Sequence, residues 1–243
     1  MKKLFLSMVF LVTGNLFAEY GNAIVDAVII NDIDRVKYLI GRGSNPGETV
    51  RDNFVALHFA AAQGSEELVK ILLAAKVKVE PRNVRGYTPF SLAVEKNHIP
   101  VLKLLLKAGA DINVKDDRGY NAVMQAASMG NVKLLEFIVD EDGDVNARNN
   151  DGLTSLIIAA GFGHKQVVEY LLDEGAKIDA SDYNGDTALM YAAAQGQTEV
   201  VKLLIKEDAN LNLKNKKGKS ALAFAREKNH TEVIKVLAAA GAK

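Results

Sequence analysis

Gly86-Tyr87-Thr88-Pro89-Phe90 returns, three periods later, as Gly185-Asp186-Thr187-Ala188-Leu189, and Gly119, Gly152 and Gly218 complete a series spaced by 33 residues. A fixed period of this length marks a solenoid, in which one small supersecondary unit stacks on copies of itself. Such a chain has no single central core and no obvious single pocket. Its default function is a binding surface rather than a catalytic cleft.

Each unit repeats one chemistry. The opening glycine supplies the open backbone angles of a tight turn. Two residues on, Thr88, Thr154, Thr187 or Ser220 is placed to cap a first helix. Small residues follow, as in Ala60-Ala61, Ala126-Ala127, Ala159-Ala160 and Ala192-Ala193, and permit close helix approach. Gly64, Asn97, Gly130, Gly163, Gly196 or Asn229 then breaks that helix. A second helix carries apolar residues at helical spacing, as in Leu68, Val69, Leu72 and Val167, Val168, Leu171. It ends at Gly109, Gly175 or Gly241 in an expected left-handed cap, and a loop such as Asp111-Ile112-Asn113 or Asp144-Val145-Asn146 leads to the next turn.

These residues resemble the ankyrin repeat, whose pattern runs roughly Gly-x-Thr-Pro-Leu-His-x-Ala and closes near Gly-Ala-Asp-x-Asn. The best fit is Gly86 to Phe90 together with Lys107-Ala108-Gly109-Ala110-Asp111-Ile112-Asn113. The resemblance implies an all-α ankyrin-repeat solenoid of about seven stacked helix-turn-helix units with β-turn fingers. The units run 20–52, 53–85, 86–118, 119–151, 152–184, 185–217 and 218–243, within a repeat domain spanning 19–243. The unit at 53 lacks the opening glycine, so a less regular turn is expected there. The first unit has lost most of the turn motif, and Arg226 replaces a small residue in the last; both changes suit ends that face water.

The 243-residue chain holds 30 basic and 30 acidic residues and no cysteine, and its 49% hydrophobic content suffices for a folded interior. Lys2 and Lys3 precede the apolar run Leu4 to Val12, and small or polar residues lead to Ala18. That is the layout of a signal peptide over 1–18, cut after Ala18, and it predicts a periplasmic or secreted protein. The apolar run is too short to cross a bilayer comfortably, and no second one follows, so no stable span is expected after cleavage.

Chemistry-bearing motifs dissolve into the repeat. His98, His164 and His230 occupy one position in alternate units, and with His58 they read as structural rather than as metal ligands. Gly218-Lys219-Ser220 resembles the end of a phosphate loop, but Leu213 stands where its first glycine belongs. Asp140, Asp142 and Asp144 imitate a calcium loop, but Val145 replaces the glycine of its sharp turn. No catalytic residue, metal site or cofactor is assigned, and the chain is not expected to be an enzyme.

The resemblance also implies a cupped hand, with the turns as fingers and the first helices as palm. Carried over, it places Tyr87, Arg118, Tyr120, Leu153 and Tyr183 on fingers, and Met129 and Phe162 on the palm. Aromatic and Met anchors ringed by charge are what interface centres favour. The competing expectation is that some of these side chains fold back and stiffen the fingers. Tyr170 and Tyr191 are expected in the core. Residues 210–243 hold eight basic residues against two acidic, which suits a solvated end cap or an anionic surface such as a membrane. Nucleic acid is disfavoured because the mature chain is not basic overall. The expected molecule is a monomeric scaffold for a protein partner, with an inhibitor or immunity-like protein that blocks an enzyme as the alternative.

Overall fold

The computed structural model describes residues 21–243; the expected signal peptide at 1–18 lies outside them. Among the described residues, fourteen short α-helices follow in pairs. They are α1 (Ala23–Ile29) with α2 (Ile33–Gly41), α3 (Ala56–Gln63) with α4 (Glu66–Ala74), α5 (Pro89–Glu95) with α6 (Ile99–Lys107), and α7 (Ala122–Met129) with α8 (Val132–Asp140). Next come α9 (Ser155–Phe162) with α10 (Lys165–Asp173), α11 (Ala188–Ala194) with α12 (Thr198–Lys206), and α13 (Ala221–Glu227) with α14 (Thr231–Ala239). The architecture is an all-α stack of about seven helix pairs.

Local signals place the ends. Thr88, Thr154, Thr187 and Ser220 each accept a hydrogen bond from the amide three residues ahead, which satisfies a donor the helix start would otherwise leave unpaired. Asn121 performs this role for α7. The breaking residues Gly64, Asn97, Gly130, Gly163, Gly196 and Asn229 all take positive φ. So do the closing glycines, with Lys76, Asp142 and Asp208 substituting in the units that lack one.

Packing follows from two rows of unlike side chains. First helices stack on first helices through alanines that are entirely buried, among them Ala60, Ala61, Ala126, Ala127, Ala159, Ala160, Ala192 and Ala193. Second helices meet through bulkier Leu68, Leu102, Leu135, Val168, Leu171 and Leu204. Small residues permit a shorter interaxial distance than leucines, so the stack curves with the first helices on its inner side. The interior is one continuous ribbon of apolar contacts from Ile24 to Leu237 rather than a central core.

Polar staples line the ribbon. His98, His164 and His230 each place Nε2 3.1 Å from the carbonyl oxygen 36 residues earlier, those of Ala62, Ser128 and Ala194. Gln197 Nε2 donates equivalently to Gly161. The ring sits directly over the breaking glycine: a Cβ on Gly130 would lie 2.6 Å from His164 Nδ1. These histidines are structural. On the loop side, Asn113 and Asn146 each donate through Nδ2 to a carbonyl of the following unit and accept, through Oδ1, from Asp144 and Lys177 amides.

Leu171 sits at the middle of this ribbon with no exposed surface. Leu171→Ala is expected to lower unfolding free energy by about 2–5 kcal/mol, measured by urea denaturation, because a nearest-neighbour stack cannot collapse around the lost volume.

Candidate functional site

The fingers are built on buried polar residues that sequence reasoning passed over. Asn83, Asp116, Asn149, Asp182 and Asn215 stand three residues before each turn glycine, and each is at most 7% exposed. The Oδ1 of every one accepts from the amides two and four residues ahead, which folds the turn around it. The signal was a polar residue with period 33; in a loop, such residues ordinarily read as solvated.

Successive fingers are tied by their backbones. The amides of Val84, Asp117, Asn150, Tyr183 and Lys216 donate to the carbonyls of Asp52, Arg85, Arg118, Asp151 and Asn184. This close approach explains the turn glycines. Gly119 has φ 78°, and a Cβ there would stand 2.8 Å from the Asn150 amide nitrogen. A second ladder runs through cations: Arg82, Lys115 and Arg148 each donate to the carbonyl 33 residues on.

The finger at 53 departs as its missing glycine suggests. Asp52 and Asn53 both take φ of 60°, and Val55 has no side chain able to cap α3. His58 closes the helix start from the other side: its Nδ1 accepts from the Val55 amide at 3.1 Å, as Ser91 Oγ accepts from the Thr88 amide. Nε2 therefore carries the proton and donates to the Tyr87 carbonyl at 3.1 Å. Burial drives the His58 pKa down to about 4, against a smaller opposing effect of the backbone carbonyls it faces.

Three of the proposed contact residues meet at one junction. Arg118 donates to the Tyr87 hydroxyl at 3.2 Å, reaches Asp116 Oδ2 at 3.4 Å, and lies over the Tyr120 ring at 5.0 Å from its centroid. Burial raises both tyrosine pKa values while the Arg118 charge opposes it, so both stay protonated at neutral pH. Tyr120 and Leu153 are half-buried, and both pack on a small cluster of Met124, Ala147 and Ile158. They stiffen the fingers while showing one edge to solvent. Tyr183, 58% exposed, lies across Gly152 on the next finger. Met129 and Phe162, 41% and 48% exposed, occupy the last turns of α7 and α9. One helix length, about 12 Å, separates them from the fingers. Phe162 stacks on His164 with centroids 5.9 Å apart. Tyr170 and Tyr191 are half-buried against the core, and the Tyr191 hydroxyl donates to Asp182 Oδ2 at 3.0 Å.

The rejected motifs take ordinary places. Asp144 Oδ1 accepts from the Asn146 amide at 2.9 Å, and Ser220 caps α13. Among the described residues, no three His, Asp or Glu side chains are grouped to hold a metal ion, and no helix is long and apolar enough to cross a membrane.

The family profile described as Ankyrin repeats (3 copies) matches residues 24–116, 111–182 and 178–243. The chain belongs to the ankyrin repeat family. The crystal structure of the human ASB11 ankyrin repeat domain is similar to this ankyrin-repeat protein with a TM-score of 0.79 and 26% identity, covering 90% of this chain and 98% of that one. Serine/threonine-protein kinase 12 of Arabidopsis thaliana is 39% identical over 71 residues, a match spanning 29% of this chain and only 16% of the kinase. Ankyrin repeat domains are typically non-catalytic scaffolds for protein interaction.

Stability carries a pH signature from His58. Its folded pKa lies below the unfolded value, so its contribution is complete above pH 6.5 and declines as pH falls toward 4. Between those limits the unfolded chain binds a proton that the folded chain refuses, a penalty of about 3 kcal/mol. Denaturation at pH 7 and pH 4.5 should show a steeper loss in wild type than in His58→Gln; parallel losses would exclude the assignment.

Proposed function

We propose that this chain is an exported ankyrin-repeat scaffold that captures a partner protein on its inner face, between the fingers and the first helices. The observation that carries the reading is the exposure of Met129, Phe162 and Tyr183 in neighbouring central units of a stack whose fingers also present an Arg118 held in place by Tyr87 and Tyr120. Exposed large apolar side chains on the same stack as a positioned arginine supply the anchors and rim of an interface. The fingers are hydrogen-bonded to one another before any partner arrives, so little ordering entropy opposes association. About 800 Å² on each side would suffice for a stable complex.

Export rests on Lys2, Lys3, the apolar run and Ala18. Intact-mass measurement of protein recovered from the producing cell should find a chain beginning at Glu19; an uncleaved Met1 would overturn export by this route.

The contact face is tested at its exposed apolar side chains. Met129→Ala combined with Phe162→Ala and Tyr183→Ala should weaken capture of the native partner, cross-linked and recovered from the envelope fraction, by at least tenfold. Melting should change little, because Met129, Phe162 and Tyr183 are exposed. Tyr120→Ala is less informative, since it also opens the cluster around Met124 and Ile158. Undiminished capture by the triple variant would move the interface elsewhere.

A further inference from the structure

Residues 210–243 form the last finger and the α13–α14 pair, and they carry eight basic side chains against Glu227 and Glu232. Both carboxylates are already engaged, Glu227 with Lys219 and Glu232 with Lys235. Lys214, Lys216, Lys217, Arg226 and Lys228 are exposed and hold neither a side-chain hydrogen bond nor an ion pair. Inner fingers use their cations differently. In the column that leads to Lys214, Arg82, Lys115 and Arg148 are each spent on a neighbouring carbonyl, and Arg118 is bound by Tyr87 and Asp116. The end unit thus concentrates repelling charge that the fold does not use.

We propose that this end unit adsorbs electrostatically to anionic lipid headgroups at a membrane surface. Four of these five cations are lysines, compact charges suited to a diffuse field of phosphates rather than to bidentate reading of one partner. No large apolar side chain is exposed among residues 210–243, so the patch lacks both the anchors of a protein interface and a wedge for bilayer insertion. The unit's one aromatic, Phe224, is half-buried with Lys219 Nζ 5.6 Å from its ring centroid, which leaves no stacking platform for nucleic-acid bases. Attachment through this end leaves the junction around Arg118, several units away, open to a partner.

The test mixes the full chain with vesicles of phosphatidylcholine containing about three parts in ten phosphatidylglycerol, with vesicles of phosphatidylcholine alone, and with duplex DNA, at low and high salt. Binding to the anionic vesicles that weakens with salt is expected. Each lysine near such a surface contributes roughly fivefold, so replacing Lys214, Lys216, Lys217 and Lys228 together by Gln should cost several hundred-fold in affinity at an unchanged melting temperature. Equal binding to both vesicle types, or binding indifferent to salt and to the four substitutions, would assign attachment to the apolar N-terminal run and overturn the proposal. Tighter binding to DNA than to vesicles would replace it with a nucleic-acid partner. No binding to anionic vesicles at low salt would reduce the patch to a solvated cap.

Discussion

The dry seam between one helix pair and the next is the contact on which this molecule depends. An isolated pair of seven- to nine-residue helices is too short to persist in water and cannot bury its apolar stripe alone. Alanine against alanine on the inner row, and leucine or valine on the outer row, bury that stripe between neighbours. The size difference between the rows also bends the stack. Folding and the shape of the binding face therefore come from the same side chains.

The polar staples add register to this adhesion. Apolar flanks alone would tolerate sliding by a helical turn. Histidine or glutamine to a carbonyl, asparagine to the next loop, and amide to carbonyl between fingers each have one productive partner. The histidine and glutamine bonds are partly withdrawn from water, so misregister would leave their groups poorly satisfied, and that penalty favours one alignment.

Much of this was legible in the residues. The turn glycines, the Thr and Ser caps and the breaking residues are local necessities of backbone geometry, and each takes its expected role. The alternate-unit spacing of His98, His164 and His230 was enough to exclude a shared metal ion. The buried bases Asn83, Asp116, Asn149, Asp182 and Asn215 were not legible, because a polar loop residue looks the same whether water or folded backbone satisfies it. The His58 bridge from the Val55 amide to the Tyr87 carbonyl was hidden for a related reason: it depends on how the imidazole is turned between two units. At the candidate site, sequence position placed Tyr87, Arg118 and Tyr120 on fingers. It could not show that Arg118 bridges the two tyrosines, or that Tyr120 and Leu153 divide themselves between stiffening and exposure, since both depend on side-chain direction between units.

Each staple joins a residue to a partner a constant number of positions away: 36 for the histidines, 32 for the finger amides. Duplicating or deleting a whole unit leaves every such bond with a counterpart, whereas gaining a single residue inside one shifts all the bonds across that joint. The architecture thus accepts change in whole modules and resists it in fragments. A lineage of this design can lengthen or shorten its reach along a partner by gene duplication without rebuilding its interior.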